Sequence, residues 1–193
     1  TANAEFEVLC GFPVLDTGVK FERRLTNDVP CLPRILRDFG YTTVASHPNI
    51  AVFWNRVNAY RRVGFEHYWS KKHFLLDDLN GEFLSDASLY AQVFNRLGAV
   101  FGPNPTRPIF NYIVTFSGHL PFELNDIRPA TVASDSAVYE VTQYANAVWY
   151  KSKETAEMIT WLRLVDPDSI IIAFGDHLPF LGEQRAGYTE SGY

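Results

Sequence analysis

An aspartate and a histidine stand side by side at Asp176 and His177, directly behind the greasy run Ile170-Ile-Ile-Ala-Phe-Gly175. One hard oxygen beside one borderline nitrogen suits a divalent transition ion such as manganese or zinc. Gly175 lacks a Cβ and lets backbone approach such a site closely. The plainer reading is an aspartate that caps the next turn beside a surface histidine. A second constellation, HPNIAVFWNR over residues 47–56, offers His47, Trp54, Asn55 and Arg56. A guanidinium fork binds phosphate or sulfate, and an indole gives a flat wall for a polyol or sugar-like group. Its plainer reading is a core tryptophan and a solvated helix charge. Thr1 has three readings: an amine-activated nucleophile, an anion site at a helix start, or an ordinary helix cap without chemistry.

These residues need a scaffold. TANAEFEVLCG (1–11) reads as a short helix that stops near Gly11. PCLPRILRDFGY (30–41) reads as a helix with Leu32, Ile35, Leu36 and Phe39 on one face and Gly40 at the C-cap. YTTVASHP is a β-branched strand that ends at Ser46-His47-Pro48. VFWNRVNAYRRVGF follows as a loop and a helix, and SDASLYAQVFNRLGAVF as an amphipathic helix capped by Ser85 or Asp86. PIFNYIVTFSGHLPF predicts a fully buried strand that opens into Ser117-Gly118-His119. SAVYEVTQYANAVWYKSKETAEMITWLRLV predicts a long helical pattern, continuous or interrupted, ended by Asp166-Pro167-Asp168. DSIIIAFGDHLPF predicts the last strand.

Apolar strands separated by helices predict an α/β fold with a mostly parallel central sheet and helices on both faces. Ligands of such sheets bind beyond the carboxyl ends of strands. Each of the three expected strands runs out into a histidine, His47, His119 or His177, which predicts one shared site at that rim.

The chain has 193 residues, 47% hydrophobic, enough for one domain with a sizeable core, and its net charge of −5 argues against a nucleic-acid partner. Apolar runs are strand-sized and no signal peptide is visible, so no part of it is expected to cross a membrane. Cys10 and Cys31 lack metal-ligand spacing. They read first as two small buried hydrophobes, with a disulfide as the alternative in an oxidising compartment.

Five motifs in order, TANAEFEVLCG, HPNIAVFWNR, GFEHYW, FSGHLPF and FGDHLP, resemble the lipoteichoic-acid-synthase-like group of sulfatase-fold enzymes in the alkaline phosphatase superfamily. The resemblance runs from Thr1 to about Pro179, and the Phe-Trp-Asn-Arg element is most similar to the phosphoglycerol-handling branch. It implies that Thr1 is the nucleophile and a metal ligand, and that Asp176 and His177 are further ligands. The metal would be Mn2+, with Zn2+ or Mg2+ as alternatives. It further implies that His47, Trp54, Arg56 and His119 hold the glycerol-phosphate group, with His119 also a candidate proton donor to a leaving oxygen. The implied reaction moves phosphoglycerol from a phosphatidylglycerol-type lipid to Thr1 and then to a glycan or polyol acceptor. A sulfatase, a phosphoethanolamine transferase and a non-catalytic binding or sensing domain are the alternatives.

Against that pattern, residues 1–193 read as a partial catalytic domain truncated at both ends, lacking an upstream metal-binding acid on its strand, a C-terminal part and transmembrane segments. The implied setting is a bacterial cell envelope, with the catalytic domain periplasmic or extracellular and anchored through those missing segments. Lys151-Ser152-Lys153 stands where the group commonly carries an acid. Glu5 is expected to support the helix behind Thr1 rather than bind metal.

Overall fold

Thr42–Ser46 (β1) is a run of small and β-branched side chains, and all five residues are buried. A strand buried on both faces must be central, and β1 lies between His67–Trp69 (β2) and Ile109–Ile113 (β5), parallel to both. Val44 registers with His67 and Asn111, and Ala45 with Tyr68 and Tyr112. The computed structural model describes residues 2–14 and 25–192. It confirms an α/β fold built on a parallel sheet. Two compact units divide the chain: Thr1–Leu75 with Gln92–Val114, and Leu76–Ala91 with Thr115–Tyr193.

The first unit holds the parallel sheet. Among the described residues, Ala2–Cys10 (α1), Leu32–Asp38 (α2) and Arg56–Val63 (α3) are its α-helices, together with the later part of Asp86–Phe101 (α4). Ala2 and Leu9 of α1 and Ala59, Tyr60 and Val63 of α3 pack with Ala45, Phe65 and Tyr112 on one face of the sheet. On the other face Phe101 meets His67 edge-on at 5.2 Å. Gly64 ends α3 at φ +113, and a Cβ there would lie 2.5 Å from the backbone of Arg34, so both conformation and space require glycine.

The second unit holds the antiparallel pair Leu79–Asn80 (β3) and Phe83–Leu84 (β4), the first turns of α4, the long helix Tyr139–Val165 (α5) and Ala186–Glu190 (α6). Ser85 caps α4, its hydroxyl accepting from the Ser88 amide at 3.1 Å. Asn146 clamps residues 131 and 132 onto α5, accepting from both amides and donating to the Val132 and Thr142 carbonyls.

Several expectations are corrected. The long helix is continuous over 27 residues rather than interrupted, and it ends before Asp166-Pro167 as expected. The strand expected over 168–174 does not form: Ile170 and Ile172 are 89% and 77% exposed, and the segment carries no ladder. β-branched residues suit a pleated surface only where a neighbouring strand provides one, and the described strands of this unit form only the two-residue pair. His177 therefore lies on a loop rather than at a strand end. β5 is mostly half-buried instead of fully buried, with Tyr112 its one buried position. Leu32, Ile35 and Phe39 of the α2 region are exposed, while Cys31 and Pro33 turn inward. Cys10 and Cys31 form a disulfide, which overturns their reading as two free buried thiols.

Candidate functional site

His47 follows β1 directly, and its amide continues the ladder by donating to the Trp69 carbonyl at 2.9 Å. The side chain is 2% exposed, with Nδ1 3.0 Å from the Val114 carbonyl. A carbonyl can only accept, so Nδ1 carries the hydrogen and Nε2 is the acceptor nitrogen of the neutral ring.

Arg56 begins α3 behind a short 3-10 turn at Phe53–Asn55. Trp54 and Asn55 both take left-handed backbone, at φ 53 and 52. Such conformations are costly for non-glycine residues and cluster at functional sites. Trp54 packs at the margin of the core, edge-on to Phe53 at 5.3 Å. The reading of Arg56 as a solvated helix charge is overturned, since it is 3% exposed. Its Nε and Nη2 donate to the Glu5 carboxylate, and Tyr60 donates to Glu5 Oε2 at 2.5 Å. Burial pulls the guanidinium pKa down, but the Tyr60 and Glu5 oxygens outweigh it and hold it above the ordinary value. Nη1 of Arg56 makes no hydrogen bond among the described residues, nor does the buried Tyr68 hydroxyl. Burial, aided by Glu5 against an opposing effect of Arg56, pushes Tyr68 up to about 12. Glu5 thus ties α1 to α3, in keeping with a supporting rather than metal-binding role.

The second unit gathers His119, Asp176 and His177. The rings of His119 and His177 lie 6.4 Å apart, and His177 Nε2 is 3.6 Å from Asp176 Oδ1. His119 Nδ1 meets the Leu120 carbonyl at 3.1 Å, and His177 Nδ1 the Leu178 carbonyl at 2.8 Å. All three predicted imidazoles thus place Nδ1 on a backbone carbonyl, which sets the tautomer of the neutral ring. His47, Trp54 and Arg56 belong to the first unit and these three residues to the second. Thr1 lies outside the described residues.

Asp176 and His177 fit a divalent ion by donor chemistry: each side chain is 41% exposed, and the His177 tautomer leaves Nε2 as a lone-pair donor. No group of three or more His, Cys, Asp or Glu positioned for a metal occurs among the described residues. Two donors of the expected set are therefore together, and the third expected donor is Thr1.

Sequence reasoning missed Tyr60 and Tyr68. Tyr60 lies one helical turn beyond Arg56, the spacing at which side chains share a helix face, which is the signal that could have found it. Tyr68 stands within the GFEHYW motif but on a strand too short to read.

A family model described as Sulfatase matches residues 1–193. The chain is 31% identical over 201 residues to a protein of Rhizobium meliloti (strain 1021) named for cyclic beta-1,2-glucan modification, covering 100% of this chain and 30% of that one. It is 25% identical to lipoteichoic acid synthase 2 of Bacillus subtilis (strain 168), covering 92% of this chain and 27% of the relative. The chain therefore spans less than a third of the length of these curated relatives. Among solved structures, a lipoteichoic acid synthase from Listeria monocytogenes matches with TM-score 0.76 and 28% identity, over 85% of this chain and 40% of that one. A Streptococcus pyogenes phosphoglycerol transferase in complex with sn-glycerol-1-phosphate shares the fold, with TM-score 0.65 and 20% identity over 86% of this chain and 45% of that one.

Proposed function

Because the chain belongs to the sulfatase family of the alkaline phosphatase superfamily, we propose that it is part of a metal-dependent phosphoglycerol transferase. The donor is a phosphatidylglycerol-type lipid and the acceptor a glycan or polyol. The name of the Rhizobium relative favours a glucan within that acceptor class. The observation that carries the reading is Arg56: a guanidinium 3% exposed has Nη1 without a hydrogen bond among the described residues while its other nitrogens hold Glu5. A buried charged donor without a partner is costly, and an incoming phosphoryl oxygen would satisfy it.

In the proposed reaction the Thr1 hydroxyl gives its proton to solvent and its oxygen attacks phosphorus; the bond to the diacylglycerol oxygen breaks, that oxygen takes a proton, and phosphoglycerol is left as an ester on Thr1. An acceptor hydroxyl then attacks phosphorus and gives up its proton, and the bond to the Thr1 oxygen breaks with that oxygen reprotonated. A threonine hydroxyl is a weak nucleophile at neutral pH. A divalent ion held by Asp176, His177 and Thr1 would supply alkoxide stabilisation and offset charge on the phosphoryl oxygens. Arg56 binds and orients those oxygens, Trp54 provides a wall for the glycerol, and His47 adds a polar contact. His119, with Nδ1–H tied to the Leu120 carbonyl, presents Nε2 as the position from which a doubly protonated ring would give its proton to the leaving oxygen.

The test uses full-length protein with fluorescent phosphatidylglycerol and manganese. Diacylglycerol release is expected, with release abolished by Thr1→Ala and by chelation. An unmodified protein that releases none removes the reading.

A further inference from the structure

His119 sits on a stretch, residues 114–119, that belongs to neither helix nor strand. Such a segment holds a side chain in place only if something outside it fixes the backbone. Two anchors do so here, at Thr115 and Ser117. The Ser117 hydroxyl donates to Asp86 Oδ1 at 2.8 Å. Lys151 Nζ donates to Thr115 Oγ1 at 2.5 Å and lies 3.5 Å from Asp86 Oδ2. Both anchors therefore end on one ion pair, formed between the first residue of α4 and the middle of α5.

The pair is built for this purpose by its burial. Asp86 is fully buried, whereas the Lys151 side chain is 35% exposed. A carboxylate without solvent needs a cation and hydrogen-bond donors; Lys151 supplies the cation at 3.5 Å and Ser117 a hydrogen bond to Oδ1, while Oδ2 makes none among the described residues. Lys151 also lies across the backbone of the turn. A Cβ at Gly118 would be 3.1 Å from Lys151 Cδ and 3.3 Å from its Nζ, so glycine lets the side chain pass. The next residue is His119. Its amide donates to the Phe116 carbonyl at 3.1 Å, and its ring packs 5.3 Å from Phe116 and 6.0 Å from Phe83.

We propose that Lys151 is a positioning residue for His119, acting through Asp86 and the anchored Thr115–Gly118 turn. This rests on the role given to His119 above. Lys151 itself touches no reacting atom. Its ammonium keeps the Asp86 carboxylate in place for Ser117 and holds Thr115, and together these fix where the His119 imidazole stands.

The experiment compares Lys151→Met alone and in a His119→Ala background in the full-length protein. Alone, it should lower kcat for diacylglycerol release about 10- to 100-fold, since small misplacements of a reacting group cost that much. KM for the lipid should stay within about 2-fold. In the His119→Ala background the further loss should be under about 2-fold, because residues acting as one unit are not additive. Lys151→Arg should recover most of the rate. Equal losses in both backgrounds, or no loss in the unmodified background, overturn the proposal. Hydrogen exchange of residues 115–119 needs no substrate and should speed up about 10-fold in Lys151→Met, with β1 unchanged. Unchanged exchange there overturns the anchoring role whatever the activity. Faster exchange in a protein without any transferase activity upholds the anchor and rejects the assigned reaction alone. Lys151→Gln serves the same comparison should the methionine variant not fold.

Discussion

Arg56 in the first unit and Arg128 in the second are both buried, at 3% and 6% exposure, yet their nitrogens are engaged differently. Arg128 donates from Nε to Glu154 at 2.8 Å and from Nη1 and Nη2 to the two oxygens of Asp78 at 2.9 and 2.6 Å. Glu154 also accepts from the Ala87 amide at 2.9 Å, and Ser85 donates to Asp78 at 2.5 Å. Every nitrogen of that guanidinium is occupied, and the network ties α5 to the start of α4. Arg56 holds one carboxylate, and among the described residues its Nη1 makes no hydrogen bond. A saturated arginine cross-links structure, while one with an unmet donor beside an ion pair is what the proposed phosphoryl contact calls for.

The largest effect that would sharpen this contrast is on turnover. Arg56→Lys keeps a cation for Glu5 but loses the fork, and donor cleavage should fall about 100- to 1,000-fold. Steady-state release of diacylglycerol checks it, and an unchanged rate would erase the distinction between the two arginines. Next is stability: Arg128→Ala strands Glu154 and Asp78 and should cost about 3 kcal/mol in urea unfolding, more than Arg56→Lys costs. Hydrogen bonds from Arg128 hold the Asp78 carboxyl below its ordinary value, so this contribution is present above pH ~4 and fades as pH falls through the lowered value. Acid titration of stability should therefore differ between the parent and Arg128→Ala. The smallest effect concerns Tyr68, pushed up to about 12 from 10.0. A raised acid contributes stability that is full below the unfolded value and lost as pH rises through the folded one. Unfolding midpoints should thus drop between those two values, and Tyr68→Phe should flatten that drop.

The sequence was most legible where local chemistry decides structure. Ser85 as a cap, Gly40 after α2, and β1 running out into His47 each depend on neighbouring residues and were readable. Ile170-Ile-Ile was misread because hydrophobic pattern reports propensity but not whether a strand edge lies alongside. The α2 face failed similarly: period 3.6 grouped Leu32, Ile35 and Phe39, but tertiary packing chose Cys31 and Pro33 to bury. β2 is only three residues long, too short for alternation to show. Candidate residues were readable as motifs, and His119, Asp176 and His177 do share one unit. Their supports were not, because Glu5 meets Arg56 across 51 positions and Lys151 meets Thr115 across 36. Partners so far apart leave no periodic trace.

The Cys10–Cys31 bond fastens the tail of α1 to the residue just before α2. Glu5, midway along the same helix, is held by Arg56 and Tyr60. That helix is therefore secured twice, once by charge and once by covalent sulfur, and neither fastening depends on substrate. Where cellular reductants cleave disulfides, the second tether is lost, and the helix that follows Thr1 keeps only its Glu5 ion pair and the core packing of Ala2 and Leu9. Dithiothreitol should therefore loosen α1 ahead of the sheet.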